Sequence, residues 1–452
     1  MKIIVCGCGK IGEALVSALA AEGHNVTAID RDAAVVTALA NVEDVMGVCG
    51  NGVDCETLED AGVRQTELFL AVTGSDEFNM LACFLAKRMG ATHTIARIRN
   101  PEYNDSSLDF MKRELDLSLA INPDMLAADA LYDILKMPSA AKIETFSGRH
   151  FEIMELILKE NSPLDGMTLR ELRQKYKARV LICLVQRGED VTIPGGDFVL
   201  KSGDRIGLTA SPAEAIRFLR QTELIQKQTK STMILGGSRT AFYLAKMLVE
   251  SGVDVKIIEK DPAVAAELSD SLPEAVIIRG DGAEQELLLE EGIRTTDAFV
   301  SLTGMDEENI LISIYAASQN VPKVISKVNR NELFAMAGKL GLETVVSPKK
   351  IIADVVVQYA RALENSRGSK IETLYKLLDG RVEAIEFAVT ETPGVTGIPL
   401  RELSLKPNIL LAGIIRGRKT IVPDGEDQLS AGDKAIILAA GQRLGDLGDI
   451  LA

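Results

Sequence analysis

The sequence has no excess of basic residues and no long apolar run, and each absence excludes a class of function. Lysine and arginine number 50 against 65 aspartates and glutamates, which leaves a net charge of −15. A surface of that sign repels phosphate backbones, so we expect no nucleic-acid partner. No stretch approaches the roughly 20 apolar residues that a membrane helix needs. The N-terminus also lacks the apolar core and cleavage site of a secretory signal, so we expect a cytoplasmic protein.

Histidine is scarce, with 3 residues, and the 6 cysteines follow no metal-binding pattern. Cys6-x-Cys8 is neither a zinc nor a redox spacing, and a disulfide framework does not suit a reducing cytosol. We therefore predict no metal site, and we interpret the cysteines as small buried apolar residues. His24 and His93 stand at the starts of predicted strands and are interpreted as packing or surface residues. No residue is predicted to be catalytic.

What the sequence does have is an internal duplication, with an offset of about 230 residues. The longest match is the segment Thr73-Gly74-x-Asp76-Glu77-x-Asn79, which recurs with the same letters from Thr303 to Asn309. Other matched positions run from one end of each half to the other: Gly7 with Gly236, Asp30 with Glu259, Gly52 with Gly282, Leu169 with Leu400, and Gly203 with Gly432. The duplicated unit is therefore the whole half-chain.

Changes of pattern divide the chain into residues 1–122, 123–142, 143–225, 226–231, 232–346, 347–369 and 370–452. The first and fifth segments alternate short apolar runs with helical spacing, which predicts an α/β fold with two Rossmann-like parallel-sheet domains. The third and last segments contain short strands and turns, which predict a small α+β C-terminal domain in each half. The second and sixth segments predict connecting helices whose apolar faces need a partner. Residues 226–231 are interpreted as the linker between the halves.

The first half opens with a glycine turn that predicts a dinucleotide site. A β-rich run, Lys2–Cys6, leads into Gly7-x-Gly9-Lys10-Ile11-Gly12, and a helical pattern follows. The three glycines permit a tight turn, a close approach of backbone to a pyrophosphate, and close packing of helix on strand. The phosphates would lie at the helix N-terminus, where free N–H groups favour anions. Asp30 ends the next strand and suits the hydroxyls of an adenosine ribose, which favours NAD over NADP despite Arg31 beside it.

The second copy departs from this pattern. Of the three glycines it keeps only Gly236, because Ser238 replaces the close-approach glycine and Ala241 replaces the packing glycine. Arg239 follows the serine, and Glu259 keeps the acid at the end of the next strand. Two interpretations stay open for this turn: a second nucleotide site, or a domain kept for assembly after loss of its ligand.

Further candidates follow other strands, where an open parallel sheet binds ligands. Asn51 and Gly52 follow one strand of the first copy, and Asp281 and Gly282 follow its counterpart. The shared segment described above adds Thr73, Gly74, Asp76 and Asn79, and in the second copy Thr303, Gly304 and Asp306. Asp76 is expected to cap the helix that includes Asn79. Arg97 and Lys327 stand at matching positions, where each could meet a phosphate.

This order of motifs resembles the regulator-of-potassium-conductance domain, also called KTN, and the small domains resemble the C-terminal domain that accompanies it. Two such pairs in one chain are similar to the peripheral subunits of the Trk potassium-uptake system. The resemblance implies a cytoplasmic homo-oligomer, a dimer or tetramer, that docks under a membrane potassium-transporting subunit of the TrkH or TrkG kind. It implies NAD(H) in the first Rossmann domain, ATP, ADP or NAD(H) in the second, and a nucleotide-dependent change of ring shape that gates transport.

The resemblance also implies which residues hold the ligands. In the first copy they would be Gly7, Gly9, Gly12, Asp30, Arg31, Thr73, Asp76 and Arg97, and in the second Gly236, Glu259, Lys260, Asp281, Thr303 and Lys327. One departure is Asn51, which stands where the family usually has the aspartate seen at Asp281. That puts this contact of the first site in question.

Two other interpretations compete with a regulatory subunit. An NAD-dependent dehydrogenase would need an acid or base beside the nicotinamide, and a substrate site between the Rossmann and small domains. A structural scaffold would bind no ligand and would show flat melting curves when titrated with nucleotides.

Overall fold

The computed structural model describes residues 1–100, 103, 105–136, 142–146, 151–160, 162–177, 179–224, 229–365, 371–378, 381–417 and 419–452. Residues 226–228 of the predicted linker lie outside the described residues. So do residues 137–141 and 366–369 at the ends of the two predicted connecting segments.

The first Rossmann-like domain is a parallel sheet with helices on both faces. Its strands form in the order β3-β2-β1-β4-β5-β6. The strands are β1 (Lys2–Cys6), β2 (Asn25–Asp30), β3 (Met46–Cys49), β4 (Leu68–Ala71), β5 (His93–Arg97) and β6 (Leu119–Ile121). The helices are α1 (Lys10–Ala21), α2 (Ala33–Val42), α3 (Cys55–Asp60), α4 (Asp76–Met89) and α5 (Asp105–Glu114), with a 3-10 helix at Val63–Gln65. Because both faces are covered, the central strands are continuous apolar runs.

A connecting helix, α6 (Pro123–Lys136), leads to the first small domain. That domain is an antiparallel sheet of order β10-β9-β11-β8-β7 with two helices. Its elements are β7 (Lys142–Phe146), β8 (Phe151–Ile157), α7 (Leu169–Tyr176), β9 (Leu181–Arg187), β10 (Asp190–Thr192), β11 (Arg205–Ala210) and α8 (Pro212–Gln221).

The second half repeats this plan. Its parallel sheet has the order β14-β13-β12-β15-β16-β17, and its antiparallel sheet the order β18-β19-β22-β20-β21. The Rossmann-like part comprises β12 (Ser231–Leu235), α9 (Arg239–Glu250), β13 (Asp254–Glu259), α10 (Pro262–Ser271), β14 (Val276–Arg279), α11 (Gln285–Glu290), β15 (Ala298–Ser301), α12 (Asp306–Ser318), β16 (Lys323–Lys327), α13 (Asn331–Lys339) and β17 (Thr344–Val346). The rest comprises α14 (Pro348–Asn365), β18 (Ile371–Leu377), β19 (Val382–Ala388), β20 (Ile409–Arg416), β21 (Lys419–Ile421) and β22 (Lys434–Ala440), with 3-10 helices at Leu400–Glu402 and Leu447–Ile450. The predicted fold class is confirmed.

The two connecting helices are exchanged between the halves. Helix α6 packs on α9 of the second half, where Leu131 and Leu135 are buried in the same core as Leu244. Helix α14 packs on α1 of the first half, and Val356 is buried there beside Leu15. Each Rossmann-like core is therefore completed by an apolar helix face from the other half.

The small domains also share a core, because their antiparallel sheets pack against each other. Phe146, Phe151 and Leu184 of the first are buried with Leu377 and Leu438 of the second. The exchanged helices and this shared core join the two halves over much of their length.

Candidate functional site

The first glycine turn has the geometry that the three-glycine pattern predicts. Gly7 has a φ of +95°, a left-handed conformation that side chains rarely adopt. A Cβ on Gly12 would lie 1.9 Å from the carbonyl oxygen of Gly7, so only glycine lets α1 pack this close to β1. A Cβ on Gly9 would meet nothing within 4 Å. Gly9 is the N-cap of α1 and makes no side-chain capping bond, which leaves the helix N-terminus open to an anion.

Asp30 fixes the turn from the neighbouring strand. Its carboxylate accepts hydrogen bonds from the N–H of Cys8, at 2.6 Å, and from the N–H of Asp32, at 3.0 Å. Each carboxylate oxygen keeps acceptor capacity after one such bond. Asp30 can therefore hold the turn and still accept from a ribose hydroxyl.

The turn opens on a cavity of about 840 Å³. Most of the residues predicted for the first site line it, namely Gly7, Gly9, Lys10, Ile11, Asp30, Arg31, Gly52, Thr73, Gly74 and Arg97. The other four do not line it and support its walls instead, namely Gly12, Asn51, Asp76 and Asn79. Asn51, for example, accepts a hydrogen bond from Arg31 at 3.0 Å, and the Arg31 guanidinium lies over the Phe78 ring.

Asp76 and Asn79 hold loops of the protein. Asn79 is fully buried; its Oδ1 accepts from the N–H of Thr73 at 2.8 Å, and its Nδ2 donates to the carbonyl of Arg97 at 2.9 Å. The N-cap of α4 is Ser75, so the expectation that Asp76 caps this helix is wrong. Asp76 instead accepts from the N–H groups of Arg99 and Asn100, because those donors follow β5 without a backbone partner.

The second copy repeats this network. Asn309 accepts from the N–H of Thr303 and donates to the carbonyl of Lys327, and Asp306 accepts from the N–H groups of Asn329 and Arg330. The recurrence of the shared segment is therefore explained by loop architecture in both halves.

Arg97 is the most unusual residue of the cavity. It is 8% exposed, and its Nε has no hydrogen-bond partner in the described part of the protein. Burial lowers the pKa of its guanidinium, and the charge of Arg99 adds to that effect. Buried charges are normally paired or hydrogen-bonded, so an unpaired buried cation facing a cavity is a mark of anion binding.

The cavity extends to residues of the second half. Thr240, Lys327, Asn329, Lys349 and Ile352 line it, and so do Pro123 and Asp124 at the start of α6. Sequence reasoning assigned Lys327 to the second site, whereas it lines the first cavity together with Arg97. The other six residues were missed. Four of them, Pro123, Asp124, Lys349 and Ile352, lie on the connecting helices, whose only sequence signal was an unpartnered apolar face.

Basic side chains outnumber acidic ones around this cavity. Lys10, Arg31, Arg97, Arg99, Lys327 and Lys349 face Asp30 and Asp124. Asp124 accepts from Arg99 at 2.7 Å, which neutralises one of the cations. Burial lowers the pKa of Lys327, whose ammonium donates to the carbonyl of Leu302. In a chain of net charge −15, this concentration of positive charge suits a pyrophosphate.

In the second glycine turn, a serine hydroxyl caps the helix that follows. Gly236 keeps the left-handed conformation, and Glu259 accepts from the N–H groups of Gly237 and Asp261 as Asp30 does in the first half. Ser238, however, caps α9 by accepting from the N–H of Ala241 at 3.3 Å. The hydroxyl thus occupies a donor that a phosphate would use.

The other residues predicted for the second site make local contacts or are exposed. A Cβ on Gly282 would lie 1.9 Å from a methyl group of Leu235, a close contact that matches Gly52 against Cys6. Asp281 accepts from the N–H of Ala283 within its own turn. Arg239 and Lys260 are exposed, and Gly304 has open space around it.

His24, His93 and most of the cysteines are packing residues. His24 is buried beside Glu364, and His93 makes an edge contact with Tyr359. Burial raises the pKa of Cys6 and Cys8 to about 12, so both stay protonated. Cys83 and Cys183 are also buried, whereas Cys49 and Cys55 are exposed, so the expectation of burial is wrong for those two. No group of metal-binding side chains occurs among the described residues.

Comparison with known proteins places this fold in a family. The TrkA-N domain model matches residues 3–123 and 232–348, and the TrkA-C domain model matches residues 153–222 and 384–452. The chain belongs to the TrkA family. It is 30% identical over 439 residues to a Trk system potassium uptake protein TrkA homolog of Archaeoglobus fulgidus, covering 97% of both chains. It is 28% identical to the TrkA protein of Haemophilus influenzae, covering 97% of this chain and 95% of that protein.

Solved structures share the fold of this TrkA-family chain. The GsuK RCK domain superposes with a TM-score of 0.62 at 18% identity, over 97% of this chain and 92% of that one. A GsuK channel bound to NAD superposes with a TM-score of 0.63 at 18% identity, over 97% of this chain and 77% of that one. No described helix of the TrkA-family chain is both long and apolar enough to cross a bilayer. The TrkA relatives are named as potassium uptake proteins, which supports the regulatory interpretation and gives no support to a dehydrogenase.

Proposed function

We propose that this chain is the nucleotide-binding regulatory subunit of a potassium-uptake system. It would bind a TrkH-like or TrkG-like membrane subunit from the cytoplasmic side, as a homo-oligomeric ring of two or four copies, and gate transport by changing shape. The observation that carries the proposal is that the first cavity is lined by both halves of the chain. A ligand bound there contacts both, so its affinity depends on how the halves are placed. A nucleotide can shift an equilibrium only through such a difference in affinity.

The ligand proposed for the first cavity is NAD(H). The open N-terminus of α1, the close-approach glycine Gly9 and the cations Arg97 and Lys327 would hold the pyrophosphate. Asp30 and Arg31 would stand beside the adenosine ribose, with Asn51 positioning Arg31. The relatives named above are Trk potassium uptake proteins, and a protein of the same fold was solved with NAD.

The second turn is proposed as a weaker site for ATP, ADP or NAD(H). Its proposed ligand residues are Gly236, Glu259, Lys260, Asp281 and Thr303, but Ser238 already caps the helix. A phosphate there must displace that hydroxyl from its hydrogen bond. We therefore expect nucleotides to bind the second turn more weakly than the first.

Thermal-shift titration with NADH, ATP and ADP tests nucleotide binding. A ligand at 100 times its Kd stabilises a protein by about 2.7 kcal/mol, so melting temperatures should rise with NADH. Gly12→Asp should abolish binding at the first turn and leave any second site intact. Gly9→Ser, which copies the second turn at a position with free space, should fold normally and weaken binding about tenfold or more. Flat melting curves for the unaltered protein would instead favour a scaffold.

Gating is tested with the membrane partner present. The chain should co-purify with a potassium-transporting subunit, and ion flux should vary with NADH and ATP. Solution scattering should also differ between the free and the nucleotide-saturated oligomer. Identical scattering curves, or flux that ignores nucleotide while binding is intact, would contradict the gating part of the proposal.

A further inference from the structure

A second large cavity, of about 900 Å³, lies between the halves. Its walls come from α1, α6, α13 and α14, with Arg205 of the first small domain and Tyr375 of the second. Asn329 and Lys349 line both this cavity and the first one, so the two cavities are neighbours. The lining of the second cavity includes none of the glycine-turn residues described above.

The N-terminus of α14 faces this cavity, and the side chain of Ser347, which precedes the helix, does not cap it. Ser347, Lys349 and Lys350 line the cavity at that point. The hydroxyl of Ser347 has no hydrogen-bond partner among the described residues, so it does not cap the first N–H groups of the helix, which have no partner within the helix itself. Ser347 is only 4% exposed, so its hydroxyl is a buried donor and acceptor without a partner. Such groups cost free energy unless something satisfies them.

The matching helix of the first half provides a control within the same chain. At the start of α6, Asn122 stands where α14 has Ser347. Asn122 accepts from the N–H groups of Asp124, at 3.1 Å, and Met125, at 3.2 Å. Asp124 also places a negative charge in the first turn, which suits the helix dipole. Helix α6 is thus satisfied by its own side chains, and α14 is not.

The charges in the first turn of α14 are also reversed. Lys349 and Lys350 are cations where the helix dipole favours anions, and the first turn of α14 contains no acidic residue. The Lys350 ammonium lies 3.9 Å from the centre of the Phe334 ring, which holds it near the helix end. An oxyanion in this position would meet free N–H groups, a buried hydroxyl and two lysines together.

We propose that the N-terminus of α14 binds a compact oxyanion, a phosphate or carboxylate group, on a small molecule that occupies the second cavity. This ligand is separate from the nucleotide of the first cavity, and the proposal does not depend on that nucleotide. Carboxylates also line the second cavity, among them Glu13, Glu332 and Asp354. They disfavour a chain of phosphates, so the ligand carries a single anionic group. Because Lys349 faces both cavities, the oxyanion would also change the positive charge that the first ligand meets.

Titration calorimetry of the full chain with inorganic phosphate and with acetate tests this site. The anion with the higher affinity shows whether the site prefers a phosphate or a carboxylate group. Ser347→Asn should cap α14 as Asn122 caps α6, and Lys350→Gln removes a cation that lines only the second cavity. Each should weaken anion binding about tenfold or more, by analogy with lost charged hydrogen bonds. Lys339→Gln, an exposed lysine away from both cavities, is the matched charge control and should change nothing.

The outcomes separate this site from the nucleotide site. Anion binding that is unchanged in Gly9→Ser and lost in Lys350→Gln, with NADH affinity unchanged in Lys350→Gln, supports the proposal. Anion binding that is weakened in Gly9→Ser to the same extent as NADH binding places the anion in the first cavity and overturns the proposal. The absence of saturable binding also overturns it, and so does an anion affinity in Ser347→Asn and Lys350→Gln that equals the affinity of the unaltered protein; water is then the partner of Ser347. If Ser347→Asn fails to fold, Lys350→Gln decides alone.

Discussion

Arg97 holds a buried charge that the protein alone does not satisfy. Its guanidinium lines the first cavity, and its Nε lacks a partner among the described residues. A buried unpaired cation is destabilising, while the same cation stabilises a bound anion. Ligand affinity and the stability of the ligand-free protein should therefore depend on Arg97 with opposite signs.

Arg97→Met tests this directly. We expect nucleotide affinity at the first cavity to fall about ten- to a hundredfold, the range for a lost hydrogen bond to a charged group. We expect the melting temperature of the ligand-free protein to stay level or rise. Titration calorimetry and thermal unfolding measure the two quantities. A fall in stability together with unchanged affinity would show that Arg97 is structural.

Asn79 and Asn309 are expected to stabilise the two halves in the same way. Each fully buried amide joins the loop after one strand to the end of the next. Removing one partner of buried hydrogen bonds costs about 1–3 kcal/mol for each group left unsatisfied. Asn79→Ala and Asn309→Ala should therefore each lower the free energy of unfolding by about 2–4 kcal/mol, as measured with denaturant. Losses below about 0.5 kcal/mol, typical of surface sites, would contradict the assignment.

Some residues of the first site could be assigned a role from the sequence, and others could not. The glycine turn was predictable because Gly7 and Gly12 each meet a backbone constraint that other residues do not, the left-handed conformation of Gly7 and the close contact of Gly12. Asp76 and Asn79 follow a strand in a recurring motif. Polar side chains at these positions could either contact a ligand or form hydrogen bonds with the backbone of nearby loops. The pattern alone could not separate these roles.

At the scale of elements, helical spacing predicted α6 and α14 but not what they pack against. The spacing of Ala128, Leu131 and Leu135 specifies an apolar face, and such a face fits either half of a duplicated chain. The exchange is a property of tertiary packing. It decides which residues line the first cavity, so the contributions of Lys349 and Thr240 could not be predicted from the sequence.

Leu131→Ala tests the exchange of helices. The side chain lies on α6 in the first half, but it is buried in the core of the second half. A buried leucine-to-alanine change costs about 2–5 kcal/mol. Hydrogen exchange should accelerate in β12 and β15 of the second half more than in β1 and β4 of the first. The reverse order would contradict the packing described here.

One four-residue motif forms different elements in the two halves. Leu-Arg-Glu-Leu begins α7 in the first half, where Thr168 and Glu171 form a capping box. In the second half the same letters follow Pro399, and a 3-10 helix of three residues forms instead. Pro399 has no side-chain oxygen to cap a helix, so the local start signal is missing.

At the scale of the whole molecule, Arg361 joins parts that are distant in sequence. It lies on α14 and bonds to Glu22 at the end of α1, with 2.9 Å between its Nε and the carboxylate. It also donates to Glu383 of the second small domain at 3.0 Å. Because all three side chains are largely buried, this group connects the first Rossmann-like domain to the second small domain.

Arg361→Met should weaken that connection. Both carboxylates would lose their cation, and breaking a buried ion pair on one side costs about 3–5 kcal/mol. We expect a lower free energy of unfolding and easier proteolysis between α14 and the second small domain. Arg401→Met, which breaks an exposed pair with Glu426, is the matched control and should cost less than about 1 kcal/mol. Equal effects of the two changes would contradict a joining role for Arg361.

The exchanged helices make this single chain equivalent to a covalently tethered dimer. In such an arrangement each half meets its partner at an effective concentration that dilution cannot change. The tether also frees the halves to diverge, since a substitution in one need not appear in the other. A separated first half would have only its own copies to exchange helices with, and that dimer would carry two identical open turns. The asymmetry between Gly9 and Ser238 thus exists because the halves are joined.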